Sequence, residues 1–143
     1  MLKKTACWLI VLALPLSILA FAFALPAQYG ETYMAGLGIK YDRLRSAEGQ
    51  RIVIAGGSGA AFDVVSGLLE AEVPGCEAGN FGLYAGLGTT VMLDLMENEL
   101  REGDIVIFMP EESPQTMSEF FGAEAMWQAA EKRPELLFAL GAD

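Results

Sequence analysis

Ser58 follows Gly56-Gly57 and precedes Gly59 at the end of the apolar run Ile52-Val53-Ile54-Ala55. This is the pattern of a buried strand that turns sharply into a helix with one hydroxyl at the bend. A serine so placed can serve as a nucleophile, and the amides of Ser58, Gly59 and Ala60 at a helix start would face an anion or a developing oxyanion. Glycines on either side suit φ angles that a side chain would resist and let a substrate approach the backbone. A tight strand-to-helix turn without chemistry fits the same residues, and spacing does not choose between the two. Activation is the obstacle. General-base help to a serine is typically worth about 10²–10⁴-fold, yet the chain contains no histidine. Asp63 stands one turn along and is expected to face solvent; surface charge and capping explain Glu111 and Glu112 more simply than catalysis.

Other chemistries fit less well. A dinucleotide turn would require glycine or alanine where Phe62 stands and an acidic residue at the end of a second strand, where Cys76-Glu77-Ala78-Gly79 is ambiguous. No spacing of Cys, His and carboxylates resembles a metal site, so no metal or other cofactor is expected. Cys7 and Cys76 do not make a disulfide framework. Cys76 reads as a small buried residue, and Met92, Met96, Met109, Met117 and Met126 as packing.

The elements that would position Ser58 alternate strand and helix from Arg51. Ile52 to Ala55 is apolar throughout, as in a strand covered on both faces. Ala60 to Glu72 reads as one helix with Ala61, Phe62, Val65, Leu68 and Leu69 inward, stopped by Pro74-Gly75. Cys76 to Leu83 is a weaker strand. Thr89 or Thr90 caps a helix that turns Val91, Met92, Leu95, Met96 and Leu100 inward. Ile105 to Met109 is again apolar and, like the first strand, reads as central. A helix is expected from Pro114 to about Lys132, with Ser113 as cap, and a short one from Pro134. The alternation predicts an α/β fold with parallel strands and helices on both faces, and a ligand site at the strands' carboxyl ends.

Ahead of this lies Ala6 to Leu25, 20 residues without a charge. As a helix it is about 30 Å long, the thickness of a bilayer core. Lys3 and Lys4 predict a cytoplasmic amino terminus and an exported remainder. A cleavable signal peptide competes, since Ala22 and Ala24 flank Phe23; the length of the run and its continuation to Leu25 favour a retained anchor. Residues 27–50 read as a membrane-proximal connector with a short helix near Tyr41 to Ser46, its tyrosines either interfacial or packed on the domain. All 19 acidic residues lie beyond position 26, as do all but two of the 9 basic ones, so this part carries −12. Nucleic acid is a poor partner for such a surface.

Together the leader, Ile52 to Ser58, Asn80-Phe81-Gly82-Leu83 and Gly103-Asp104-Ile105-Val106-Ile107 make the chain resemble the front of membrane-anchored SGNH (GDSL-type) hydrolase-like proteins of bacterial cell envelopes, over about Pro26 to Glu112. The resemblance implies an amino-terminal transmembrane helix (1–26) followed, over 51–143, by a partial flavodoxin-like parallel sheet of three strands. It implies Ser58 as nucleophile, Gly59 and either Gly86 or Gly82 as oxyanion amides, with Gly86 favoured at the strand end, and Gly57, Asn80 and Gly82 as binding positions. It also implies ester (O-acyl) groups of cell-surface glycans as substrate. The chain departs from that pattern at Pro110-Glu111-Glu112, where an asparagine would join the oxyanion hole and a carboxylate would repel it. The family's Asp/His block would lie beyond Asp143, so the chain is expected to be inactive alone and part of a longer protein. Its exposed sheet edges call for a partner or a further segment. The alternative expectation is a non-catalytic, membrane-tethered binding or assembly module.

Overall fold

The computed structural model describes residues 2–110 and 122–140. Helix α1, Leu2–Ala24, carries Pro15 in its interior. Its stretch Cys7–Ala24 has a mean hydropathy of 2.5 and is 0% buried inside the protein. It is one helix, among the described residues, long and apolar enough to cross a membrane. The hydroxyl of Ser17 donates to the carbonyl of Ala13 at 2.8 Å, so its polar group is satisfied within the helix.

After the connector come α2 (Gly36–Ser46), β1 (Gln50–Gly56), α3 (Ser58–Asp63), α4 (Ser66–Glu72) and β2 (Cys76–Gly82). A 3-10 turn (Ala85–Leu87), α5 (Thr89–Glu97), β3 (Ile105–Met109), α6 (Ala123–Ala130) and α7 (Pro134–Phe138) follow. The three strands are parallel in the order β2-β1-β3, with Ile54 opposite both Asn80 and Ile107. Because β2 and β3 lie on opposite sides of β1, right-handed crossovers send α3 and α4 to one face and α5 to the other. Val53, Ala55 and Phe81 meet α2, α5, α6 and α7 through Leu37, Tyr41, Met92, Leu95, Met126 and Leu136. Ile52, Ile54 and Ala78 meet Ala60, Val64 and Leu69 on the opposite face. The mixed α/β architecture and the three-stranded parallel sheet therefore agree with the alternation in the sequence.

Several expectations are corrected. The helix foreseen over Ala60 to Glu72 is two helices, because Val64 and Val65 are extended. The side-chain amide of Asn80 donates to the carbonyls of Ala60 and Val64, both at 2.9 Å, and so engages acceptors that a continuous helix would use. Phe62, Val65 and Leu68, expected inward, are exposed. Gly88, at φ 101°, occupies the cap position before α5 and no side chain caps it, in place of the expected threonine. Gly122 is extended and α6 runs over Ala123–Ala130, so the expected helix is not continuous through Gly122 to Lys132; its expected start, with Ser113, Pro114 and Met117, falls among residues 111–121, outside the described residues. Among the described residues β3 is an edge strand, and Ile105, Val106, Ile107 and Phe108 are 39–46% exposed, on both faces. Finally, α2 contributes Leu37, Tyr41 and Leu44 to the core, so packing begins well before residue 50. Tyr41 is thus a packing residue, its hydroxyl donating to Glu99 at 2.8 Å.

At the amino ends of the strands, Arg51 and Asp104 meet with side chains 1% and 4% exposed. The Nε of Arg51 donates to Asp104 at 2.9 Å and its terminal nitrogens reach Asp104 and the carbonyls of Leu44 and Glu99. Asp104 also accepts the amide of Arg101 at 2.7 Å. The guanidinium holds the Asp104 carboxyl below the usual carboxylate range. This pair fastens β3 to β1 at the end away from Ser58.

Candidate active site at the carboxyl end of the central strand

Gly56 ends β1, Gly57 carries the bend and Ser58 opens α3. None of the glycines at this bend has a positive φ; among the described residues those that do are Gly49, Gly75, Gly88 and Gly103. At Gly56 close approach, and not a left-handed backbone, is what demands glycine, whereas a Cβ on Gly59 would meet only ordinary contact with Asp63 at 3.9 Å. A Cβ on Gly56 would run into the carbonyl oxygen of Met109 and stand 2.9 Å from the Cβ of Ala60. A Cβ on Gly82 would stand 2.7 Å from the Cβ of Ala60. The ends of β1, β2 and β3 are thereby drawn together under the first turn of α3, and the amide of Leu83 donates to the carbonyl of Gly56 at 3.1 Å.

Ser58 and Gly59 are partly exposed in this setting, whereas Gly57 is buried. The bend stands between the carboxyl ends of β1 and β3, where the chain switches its winding direction, the usual ligand position in open α/β sheets. Asp63 is exposed, as its sequence position suggested. Phe62, one turn beyond Ser58, stacks on Tyr33 of the connector with ring centroids 5.3 Å apart and planes inclined by 18°.

The other expected site residues divide into two groups. Asn80 and Gly82 lie directly behind the bend and are occupied by the fold. Besides its two donations, the side-chain oxygen of Asn80 accepts the amide of Gly82 at 2.9 Å. Its main-chain carbonyl accepts the ammonium of Lys40 at 3.0 Å. Gly86 is exposed and lies farther on, in the 3-10 turn, where its carbonyl accepts the amide of Gly122 at 3.1 Å. It lines a cleft of about 380 Å3 with Met34, Tyr84, Gly122, Glu124 and Gln128. Ser58 is not among the walls of that cleft, so the serine bend and Gly86 are not joined in one described cavity.

Lys40 had no signal in the sequence, being one charge on a short helix. Burial, with Arg43 nearby, lowers its pKa, and its ammonium spans from α2 to the end of β2. Glu131 was equally silent: its residue is 6% exposed, and its carboxylate accepts the amides of Gln28 and Tyr29 at 2.8 and 3.0 Å.

No family model, curated protein or solved structure matches this chain.

Proposed function

We propose that the chain is the anchored amino-terminal part of an extracytoplasmic SGNH hydrolase-like protein, in which α1 spans the membrane and Ser58 attacks ester groups of cell-surface glycans. The observation that carries this reading is the position of Ser58: partly exposed, on the first turn of a helix, at the switch point of a β2-β1-β3 parallel sheet. That order also begins the flavodoxin-like arrangement. Attack by the hydroxyl oxygen on the ester carbonyl would form an acyl-enzyme and expel the glycan alcohol, with the serine proton passing through a base to the leaving oxygen. With no histidine in the sequence, a base of that kind comes from a partner or from sequence outside these residues. The amides that follow Gly57 are the oxyanion donors in this scheme. Asn80 and Gly82 act as positioning residues, since both are engaged in holding α3 against the strand ends.

The same features favour a second reading in one respect. Without a histidine, the bend can serve a non-catalytic, membrane-tethered binding or assembly module whose exposed sheet edge takes a partner. A serine-reactive phosphonate separates the two in membranes of the native cell, where any base-supplying segment or partner is present. The catalytic reading predicts adduct on Ser58 and none in Ser58→Ala. A wild-type chain left unmodified there, while the same residue proves open to small reagents, selects the non-catalytic module.

A further inference from the structure

The exit of α1 is gripped by three side chains of one short stretch. Trp127 on α6 meets Phe23 with ring centroids 5.2 Å apart and planes inclined by 56°. The ammonium of Lys132 donates to the carbonyl of Phe23 at 2.7 Å and to that of Leu25, which are carbonyls left open by the end of the helix. Glu131 accepts the next free amides, those of Gln28 and Tyr29. The grip therefore has contacts on both sides of the Ala24–Leu25 bond, at Phe23 and at Leu25, while Ala22-Phe23-Ala24 is the last part of the helix, with the amide of Leu25 donating to the carbonyls of Phe21 and Ala22.

We propose that α6 seats the domain on the membrane surface, with Trp127 and Lys132 at headgroup level and the leader retained as a fixed stem. The proposal rests on the reading of α1 as a membrane span. The 18 residues of Cys7–Ala24 cover about 27 Å as a helix, close to the roughly 30 Å of a hydrocarbon core. Phe23 then stands at the edge of that core, and a ring packed against it stands in the interface. Tryptophan and lysine are the side chains suited to that layer, one for its amphipathic ring and the other for a charge that reaches water from an apolar stem. Ile39, 73% exposed, lines the same groove as Ala27, Gly30 and Lys132 and gives the seat a further apolar contact. The groove holds about 230 Å3. A leader cut after Ala24 would remove the partner of Trp127 and half of the acceptors of Lys132.

The chain has two tryptophans, Trp8 in α1 and Trp127, so each can be made the sole reporter. The full chain is placed in phosphatidylcholine vesicles whose acyl chains carry bromine near the headgroup or near the chain end, and the loss of tryptophan emission is measured. In Trp8→Phe, emission from Trp127 should fall at least twofold with the shallow bromines and less with the deep ones. In Trp127→Phe, emission from Trp8 should also be quenched, which tests the span itself. Quenching of Trp8 but not of Trp127 overturns the seat and leaves the span standing; quenching of neither removes both. Lys132→Met and Glu131→Gln, each in the Trp8→Phe background and each checked for an unchanged near-ultraviolet spectrum, should at least halve the quenching of Trp127. Undiminished quenching in both would overturn the grip as its cause. Mass spectrometry of the membrane fraction should return the leader intact, and a product beginning at Leu25 would overturn its retention.

Discussion

Arg51 and Asp104 bring opposite charges to the end of the sheet away from Ser58, in a place from which water is excluded, and each offsets the buried charge of the other. Removing one partner leaves an uncompensated buried charge, so Asp104→Ala should lose about 3–5 kcal/mol of stability, measured by denaturant unfolding in detergent. Replacing both, as Arg51→Met with Asp104→Leu, should recover part of the loss, the rest remaining because the carbonyls of Leu44 and Glu99 lose their guanidinium donors. The folded-state pKa of Asp104 is depressed, chiefly by its hydrogen bond from Arg51. The stability that the pair contributes is therefore complete above the ordinary aspartate value of about 3.9 and is lost as pH falls through the lower folded value. Asp104→Asn should flatten that acid limb of the stability profile. In the sequence Asp104 is only half of a Gly-Asp turn before a strand; what it binds depends on Arg51, whose distance along the chain carries no periodic signal. The serine bend was legible because glycines around a hydroxyl after an apolar run form a local pattern. The reason for Gly56 was legible only in part: close approach of Met109 and Ala60 is tertiary, and the φ angles anticipated from the sequence are absent.

At the scale of elements, the break between α3 and α4 depends on one amide. Asn80→Ala removes the partners of two main-chain carbonyls and of the Gly82 amide, and should cost about 1–3 kcal/mol, read as a lower denaturation midpoint at unchanged slope. Gly56→Ala should cost a similar amount or more by overpacking, because the added methyl would have to displace β3. Hydrophobic periodicity gave the continuous helix because Phe62, Val65 and Leu68 share a helical face. A small sheet has little area for them on that side, and Asn80 draws the chain in between. Apolar runs correctly marked β1 and β3 as strands, but a run does not tell a central strand from an uncovered edge. The distinction has a consequence for β3. Ile107→Lys should reduce self-association of the solubilised chain in sedimentation and change its stability by less than about 0.5 kcal/mol, since Ile107 is already 40% exposed.

At the scale of the whole molecule, an apolar helix is joined to a sheet whose central strand ends at the Ser58 bend. Tyr29, held by Glu131, is seven residues before Gly36, which packs near Leu83 at the end of β2. At roughly 3.5 Å per residue that end of the sheet lies within about 25 Å of the grip, so under the proposed membrane span a ligand at the proposed site comes close to the bilayer. Length and hydropathy made the apolar helix visible in the sequence. The joint itself was invisible, because Trp127, Glu131 and Lys132 find their partners a hundred residues away. The most direct test asks whether the position of Ser58 is both open and outside. In a Cys7→Ser, Cys76→Ala background, Ser58→Cys is exposed on intact cells to a membrane-impermeant maleimide. The account predicts modification in folded protein without lysis; modification only after lysis, or only after unfolding, would contradict it.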